Sequence, residues 1–515
     1  MSDLIVKNLN FGQEAQDQVF KGIDKLTQAV SSTLGASGKC VLLEDDNGRP
    51  LITKDGVTVA NSIVLLNPVE NMGATLLKEA ARKTVQEAGD GTTTATVLAH
   101  AILKEASEIG IEISSRELKD GINSATKKVI KYLEKNSIPV EGDMIDNIAT
   151  ISTNNDPKLG KIIGDAFRSV GQTGVVMMEA SALPETEVEI VDGVQYDKGS
   201  TNPHFITNHE KKTAELENPV VLIIESIVEN IRQIQSVLEH VIKNKLPLLI
   251  IADIEPTVAS TLAMNKTKGN IKVNIINSPT FGVNKRETLD DLALLTGATV
   301  INEDLGDDMD LIKPDLLGQC LKSTTTEKDT VIQVGEPSEE ILSIITQIKK
   351  DLNTQKNPGE IIRLEKRLAR LSAKIAIVKV GANSDIELKE KTDRVEDAIC
   401  ATKAAIKEGI VSGGGIALLN AYQNIKPSNP AEEVLLNAIV SPFKIILDNA
   451  GILCTNDELP TEKGVGLNVI TEKSVNMIKS GIIDPLLVTK SALINAASVA
   501  TTILSTDCVI NNLRQ

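Results

Sequence analysis

Between about residues 186 and 350 the chain carries a series of short apolar runs, TEVEIVDGV, PVVLIIES, LPLLIIAD, IKVNIIN and ATVI. Helix-patterned segments such as 231–242 and 289–296 lie between them. Strands alternating with helices predict an α/β block whose strands are buried in a sheet. The sequence on either side reads differently. Up to about Ser137 the pattern is mainly helical, with Phe20, Ile23, Leu26 and Val30 recurring three or four apart, and helical patterning returns towards the C-terminus. Helical, then α/β, then helical is the order that one domain inserted into another produces, with the two helical ends packed together. A length of 515 residues, at about 100–200 residues per domain, suggests roughly three domains. The predicted class is multidomain, α with an inserted α/β domain.

Local punctuation refines this. The first helix ends at the Gly-rich LGASGK. Val41 to Leu43, the Asn47-Gly48 turn and Leu51 to Thr53 predict a hairpin. A helix over 70–88 stops at Gly89 and another starts after Gly91. Further on, 360–373 places Ile361, Leu364, Leu368 and Leu371 on one helical face. The strand IAIVKVGA then leads into a helix over 391–409.

Charge and composition exclude several function classes. Lys and Arg number 54 against 70 Asp and Glu, a net charge of −16, so no general footprint for nucleic acid is expected. Aromatics make up 2% with no Trp, which argues against base- or sugar-stacking platforms. The four His and five Cys are scattered, with no CxxC, so neither a zinc site nor a redox dithiol is expected. Reduced cysteines and an N-terminus, MSDLIVKNLNFG, without a signal-peptide pattern point to a cytoplasmic protein. No apolar stretch is expected to approach the ~18 residues needed to cross a bilayer.

Phosphate chemistry has one candidate locus. GDGTTTATVLAHAIL begins at Gly89: a tight Gly-Asp-Gly turn, then three threonines at the start of a helix. A helix N-terminus with free N–H groups and adjacent hydroxyls can cradle phosphate. Asp90 there could hold Mg2+, and the same residues could equally be an ordinary N-cap. Other carboxylates are ambiguous taken singly. Asp55 in LITKDGV either orients a water near phosphate or simply makes a turn. Asp397 in RVEDAICATKAAI is either a general base or a solvated helix carboxylate. Asp484 in NMIKSGIIDP is either functional or a capping residue. A Walker A motif is absent: GASGKC has the wrong spacing.

In combination and order, these segments resemble the group I chaperonins, the GroEL-type family, as a divergent member. The likeness runs over nearly the whole chain. It is carried by TLGASGKCVLL, LITKDGVTVANSI, ENMGATLLKEAARKTVQEAGDGTTTATVLAHAI, RLEKRLARLSAKIAIVKVGA, KTDRVEDAICATKAAIKEGIVSGGGIAL and NMIKSGIIDPLLVTKSALINAASVATTIL. The resemblance implies an equatorial helical ATPase domain from 1–136 and 408–515. It also implies an intermediate domain from 137–191 and 376–407, and an inserted apical α/β domain at 192–375. It implies an ATP-driven ring chamber, an ATP hydrolase that binds non-native polypeptide and promotes its folding. ATP, Mg2+ and K+ are the implied cofactors. The implied partners are copies of the same chain in a heptameric ring, single or double, unfolded clients and a possible co-chaperonin lid.

The resemblance also assigns residues. Thr33, Leu34 and Gly35 match a turn contacting phosphate and ribose, and Lys54 a backbone contact near the phosphates. Gly89, Asp90, Gly91, Thr92, Thr93 and Thr94 match the phosphate loop, with Asp90 the Mg2+ ligand. Asp55 and Asp397 match the carboxylates at the attacking water. Gly414, Asn468, Ile482 and Asp484 match residues around ribose and base. The client groove maps to Phe205, Ile234, Leu238, Leu262 and Met264.

Several positions depart from the family pattern. Ser200 and His204 stand where Tyr is usual, Gln235 where Leu is usual, and Ala259, Ala263 and Met264 where a Leu and two Val are usual. A smaller, more polar groove is expected to capture clients less promiscuously, and a chaperonin-fold holdase for few clients is the alternative reading. Leu453 replaces the acid that would pair with Lys444 across rings, which favours a single or weaker double ring. One hinge glycine is kept at Gly193, whereas Ala373-Lys374 replaces the other, a Gly-Gly pair.

Overall fold

Close helix crossings require residues without side chains, and the N-terminal helices supply them. A Cβ added at Gly22 would sit 1.9 Å from the carbonyl oxygen of Glu70, and one at Gly73 would sit 2.3 Å from that of Val19. The helices Gly12–Ser31 and Pro68–Ala88 therefore pack backbone to backbone. The second helix starts where sequence chemistry places it, with Asn67 accepting from the N–H groups of Val69 and Glu70 and Pro68 in the first turn. It ends at Gly89, which takes the left-handed conformation at φ 76°.

This computed structural model describes residues 7–512, apart from 45–47, 49, 110–112, 141, 143, 154–155, 172–173, 182, 197, 210, 279–282, 310–311, 356–357, 373 and 456–458. Asn47 of the expected hairpin turn and Ala373 of the expected hinge lie outside the described residues. The chain divides into two compact units. One holds 1–165, 180–185 and 380–515, and the other holds 166–179 and 186–379.

The first unit is helical and built from both ends of the chain. Thr92–Ile109, Ser115–Asn136, Pro430–Ala438 and Leu486–Leu504 join the two N-terminal helices around a core that includes Ile23, Leu77, Leu98, Ile102, Ile122, Leu435 and Leu493. Strand Lys7–Phe11 pairs antiparallel with Cys508–Asn512, which joins the first and last described strands. Val41–Glu44 and Pro50–Thr53 form the expected hairpin. Leu486–Leu504 corrects the membrane expectation by length and composition, being long and apolar enough to span a bilayer. Two-thirds of it is buried inside the unit, which is how a helix apolar on all sides behaves in a protein core.

The second unit is α/β. Val300–Ile301, Val220–Ile224, Leu248–Ile251 and Val273–Ile276 lie in that order as a parallel sheet, with Gly318–Gln319 antiparallel on Val220–Ile224. Their near-continuous apolar runs are buried on both faces, as parallel strands require. A second sheet runs Val175–Ala180, Lys374–Val380, Glu187–Tyr196, Thr330–Gln333, Lys322–Thr325, Ala214–Glu217. Gly193 sits inside this sheet, paired with Gln333. A Cβ there would meet Ile375 at 2.2 Å, so close packing is one reason for a glycine at this position. The segment 231–242 divides into a 3-10 turn, Ile231–Ile234, and an α-helix, Gln235–Asn244.

The expected client-groove residues divide by burial. Phe205, Ile234, Leu238 and Leu262 are all buried in one hydrophobic cluster of this unit, with Val228, Val241 and Ile250. Ile234 closes the 3-10 turn, Val237, Leu238 and Val241 form the buried face of the helix that follows, and a core stripe and a binding stripe share one period. Of the expected groove residues only Met264 is exposed, at 60%.

Candidate functional site

Every expected nucleotide and catalytic residue falls within the first unit, helix Asp385–Glu408 with Asp397 included. Asp55 caps helix Gly56–Ser62. Its carboxylate accepts from the Val57 N–H at 3.0 Å, the Thr58 N–H at 2.8 Å and the Thr58 hydroxyl at 2.7 Å. Lys54 beside it is half-buried. A Cβ at Gly56 would lie 2.3 Å from Thr93 Oγ1, so only glycine lets the start of this helix touch the threonine run. Thr93 Oγ1 in turn lies 3.4 Å from Thr33 Oγ1. Thr33, Leu34 and Gly35 form a turn in which the Gly38 N–H reaches the Gly35 carbonyl at 2.9 Å, with Gly35 at φ 85°.

Gly89, Asp90 and Gly91 join two helices in a tight turn, with Gly91 at φ 93°. The Gly91 N–H donates to the Asp90 carboxylate. Thr92, Thr93 and Thr94 open helix Thr92–Ile109. A Cβ at Gly89 would lie 2.4 Å from the Cβ of Cys400, which places the turn against the helix carrying Asp397. Strands Ile410–Ser412 and Ile483–Pro485 pair Val411 with Asp484. Asp484 Oδ1 would lie 3.1 Å from a Cβ at Gly413, and Ile482 Cγ2 would lie 4.0 Å from one at Gly414.

Electrostatics ties the carboxylates together. Burial raises the Asp90 carboxyl above its ordinary value; the Gly91 N–H opposes the shift and Asp55 adds to it. Burial, then Asp90 and Asp55, raise Asp397 well above the usual range. Burial and Asp90 push Asp484 up to about 7. Asp393, one turn before Asp397, is pushed to about 6 by burial and then by Asp55. Burial, Glu396 and Asp397 push the Cys400 thiol up to about 12, an inert thiol.

Carboxylates that disfavour their own charge form a site short of positive charge. The wall is glycine-rich, and its hydroxyls and helix N-terminus suit anionic oxygens. Among the described residues no three His, Cys, Asp or Glu side chains converge to hold a metal alone. Mg2+ needs only one or two carboxylates, its remaining positions going to phosphate oxygens and water, and Asp90 is a carboxylate in the turn that precedes helix Thr92–Ile109.

Asn468 lies between Leu467 and Val469, which pack in the same apolar cluster as Ile482. The Asn468 side chain accepts from the N–H groups of Ile470 and Thr471, capping the turn after strand Val465–Asn468. Sequence reasoning passed over Asn449, whose Nδ2 donates to the carbonyls of Ser31 and Leu34, each at 2.9 Å. It also passed over Asp393, although its i, i+4 spacing to Asp397 was legible.

The model of the TCP-1/cpn60 chaperonin family matches residues 26–514, so the chain belongs to that family. Among solved structures it is similar to the chaperonin gp146 from the bacteriophage EL 2 (Pseudomonas aeruginosa), crystallised in the presence of ATP-BeFx. Crystal form II matches at 22% identity over 98% of this chain and 99% of that chain, with a TM-score of 0.74. Crystal form I has the same identity and coverage, with a TM-score of 0.66. The chaperonin fold thus extends over nearly the whole chain.

Proposed function

We propose that this protein is an ATP-hydrolysing chaperone of the group I type, whose copies form a heptameric ring that binds non-native polypeptide and promotes its folding. The observation that carries the reading is the grouping of Asp55, Asp90, Asp397 and Asp484 around the Gly89–Asp90–Gly91 turn and the threonine run. Asp90 would hold Mg2+, with the hydroxyls and N–H groups of Thr92, Thr93 and Thr94 towards phosphate. The ion supplies charge neutralisation on the phosphate oxygens. Asp55 and Asp397 would position the attacking water and take its proton. K+ is a second implied cation. The division of the chain into equatorial, intermediate and apical domains, and a cytoplasmic location, belong to the same proposal. The neighbour's crystallisation with ATP-BeFx accords with nucleotide binding here.

Two features support self-assembly. The paired terminal strands expose Leu9, Phe11 and Ile510, and the hairpin exposes Leu42 and Ile52. Short strand pairs with free edges and exposed apolar side chains favour addition of strands from another copy. Leu453, 91% exposed, lacks the charge to pair across two rings, which favours a single ring.

The second reading, a holdase for few clients, is favoured by the burial of Phe205, Ile234, Leu238 and Leu262. The test is recovery of a denatured enzyme with ATP, Mg2+ and K+, with solution mass measured by light scattering. Recovery with a mass of seven subunits supports the ring chamber. Suppressed aggregation without recovery supports the holdase. A monomer without ATPase activity overturns the proposal.

A further inference from the structure

Helix Gly56–Ser62 is held at both ends, and only one of the holds belongs to the site described above. Its N-terminus carries Asp55 and touches Thr93 through Gly56. At its C-terminus stands Lys78 of helix Pro68–Ala88, only 7% exposed. The Lys78 ammonium donates to the carbonyl of Ile63 at 2.5 Å and to that of Asn61 at 3.4 Å. Among the described residues no carboxylate pairs with it. Arg82, one turn further on, donates to Asn61 Oδ1 at 3.2 Å.

A buried ammonium is costly unless its protons are used. Here they are spent on carbonyls at a helix end, where such groups lack intrahelical partners and carry the negative end of the helix dipole. A two-turn helix has little stability of its own, so its orientation is set by what grips it. We infer that Lys78 is a positioning residue for ATP hydrolysis: by clamping the end of the helix opposite Asp55, it fixes where the Asp55 carboxylate sits. The inference rests on the proposed ATPase reading and adds a residue that does not touch the nucleotide. A misplacement of about 1 Å can cost about 100-fold in rate, so the effect should fall on turnover more than on nucleotide binding.

The test is a double-mutant cycle on the full-length chain, reading kcat and KM for ATP. The variants are Lys78→Met, Lys78→Arg, Asp55→Asn and the Lys78→Met/Asp55→Asn pair, with thermal melting alongside. Lys78→Met should lower kcat about 10-fold or more while KM changes less than about 3-fold, and Lys78→Arg should restore most of the loss. In the Asp55→Asn background Lys78→Met should cost little further, because a residue acting through Asp55 has nothing left to position. Equal cost in both backgrounds, or no cost in either, overturns the inference. If Lys78→Met does not fold, Lys78→Gln, which keeps an amide donor but loses the charge, takes its place in the cycle. Wild-type chain without ATP turnover overturns the ATPase reading itself, an outcome distinct from an unaffected Lys78→Met.

Discussion

Asn449 donates through its amide nitrogen to the main-chain carbonyl of Leu34 at 2.9 Å, and through the same nitrogen to that of Ser31. One side chain near the end of helix Ser441–Asn449 thus holds the Thr33–Leu34–Gly35 turn, more than 400 residues away in sequence. Asn449→Ala removes both bonds. At about 1 kcal/mol each, KM for ATP should rise between about 5-fold and 30-fold with kcat little changed. Steady-state ATPase assays check this.

Asp397→Asn separates the two effects of one carboxylate. It replaces a carboxyl whose charged form is disfavoured by burial, Asp90 and Asp55 with a neutral group of the same shape, so the melting temperature without nucleotide should not fall. Turnover should drop about 100-fold or more if the carboxylate takes a proton from water. Calorimetry and single-turnover hydrolysis give the two readings.

Stability should depend on pH in a stated direction. Asp484 at about 7 and Asp393 at about 6 both lie above their unfolded values near 4. Groups raised in the folded state add stability that is full below the unfolded value and is lost as pH rises through the folded one. Between about pH 5 and pH 7 this contribution should therefore decline with rising pH. Asp484→Asn should flatten the trend, and so should saturating Mg2+ with ATP. Urea unfolding across that range checks the sign.

Phe205 and Met264 should part company. Phe205 is fully buried, and Phe205→Ala should cost about 3–5 kcal/mol of stability. Met264 is exposed, so Met264→Glu should leave stability within about 0.5 kcal/mol. If clients bind at this face, Met264→Glu should weaken capture of an unfolded model protein several-fold. Urea titrations and a client-binding assay separate the two residues.

Much of the site was legible because its signals are local. Gly-Asp-Gly followed by three threonines specifies a tight turn and a helix start whatever surrounds it. The Asp55-Gly56 step likewise specifies a cap with a close approach. Less local features escaped. Nothing in the sequence near Asn449 points to the Ser31–Leu34 turn, and nothing near Lys78 identifies Asn61 and Ile63 as its partners. The burial of the expected groove residues was not legible for a related reason: Ile234 and Leu238 show the spacing of an apolar helix face, and spacing cannot say whether that face meets solvent or a sheet.

By itself the sequence determined the order of helical, α/β and helical segments, the turns at Gly35, Gly89 and Gly91, and the identity of the acids. Hydrophobic period and backbone permissiveness act over a few residues and need no knowledge of the rest of the chain. Only the tertiary structure decided that Asp55, Asp90, Asp397 and Asp484 share one electrostatic environment, that Phe205 lies in a core, and that Lys78 grips the far end of Asp55's helix. Those outcomes depend on which distant segments pack together, because burial and like-charge proximity are properties of neighbours in space.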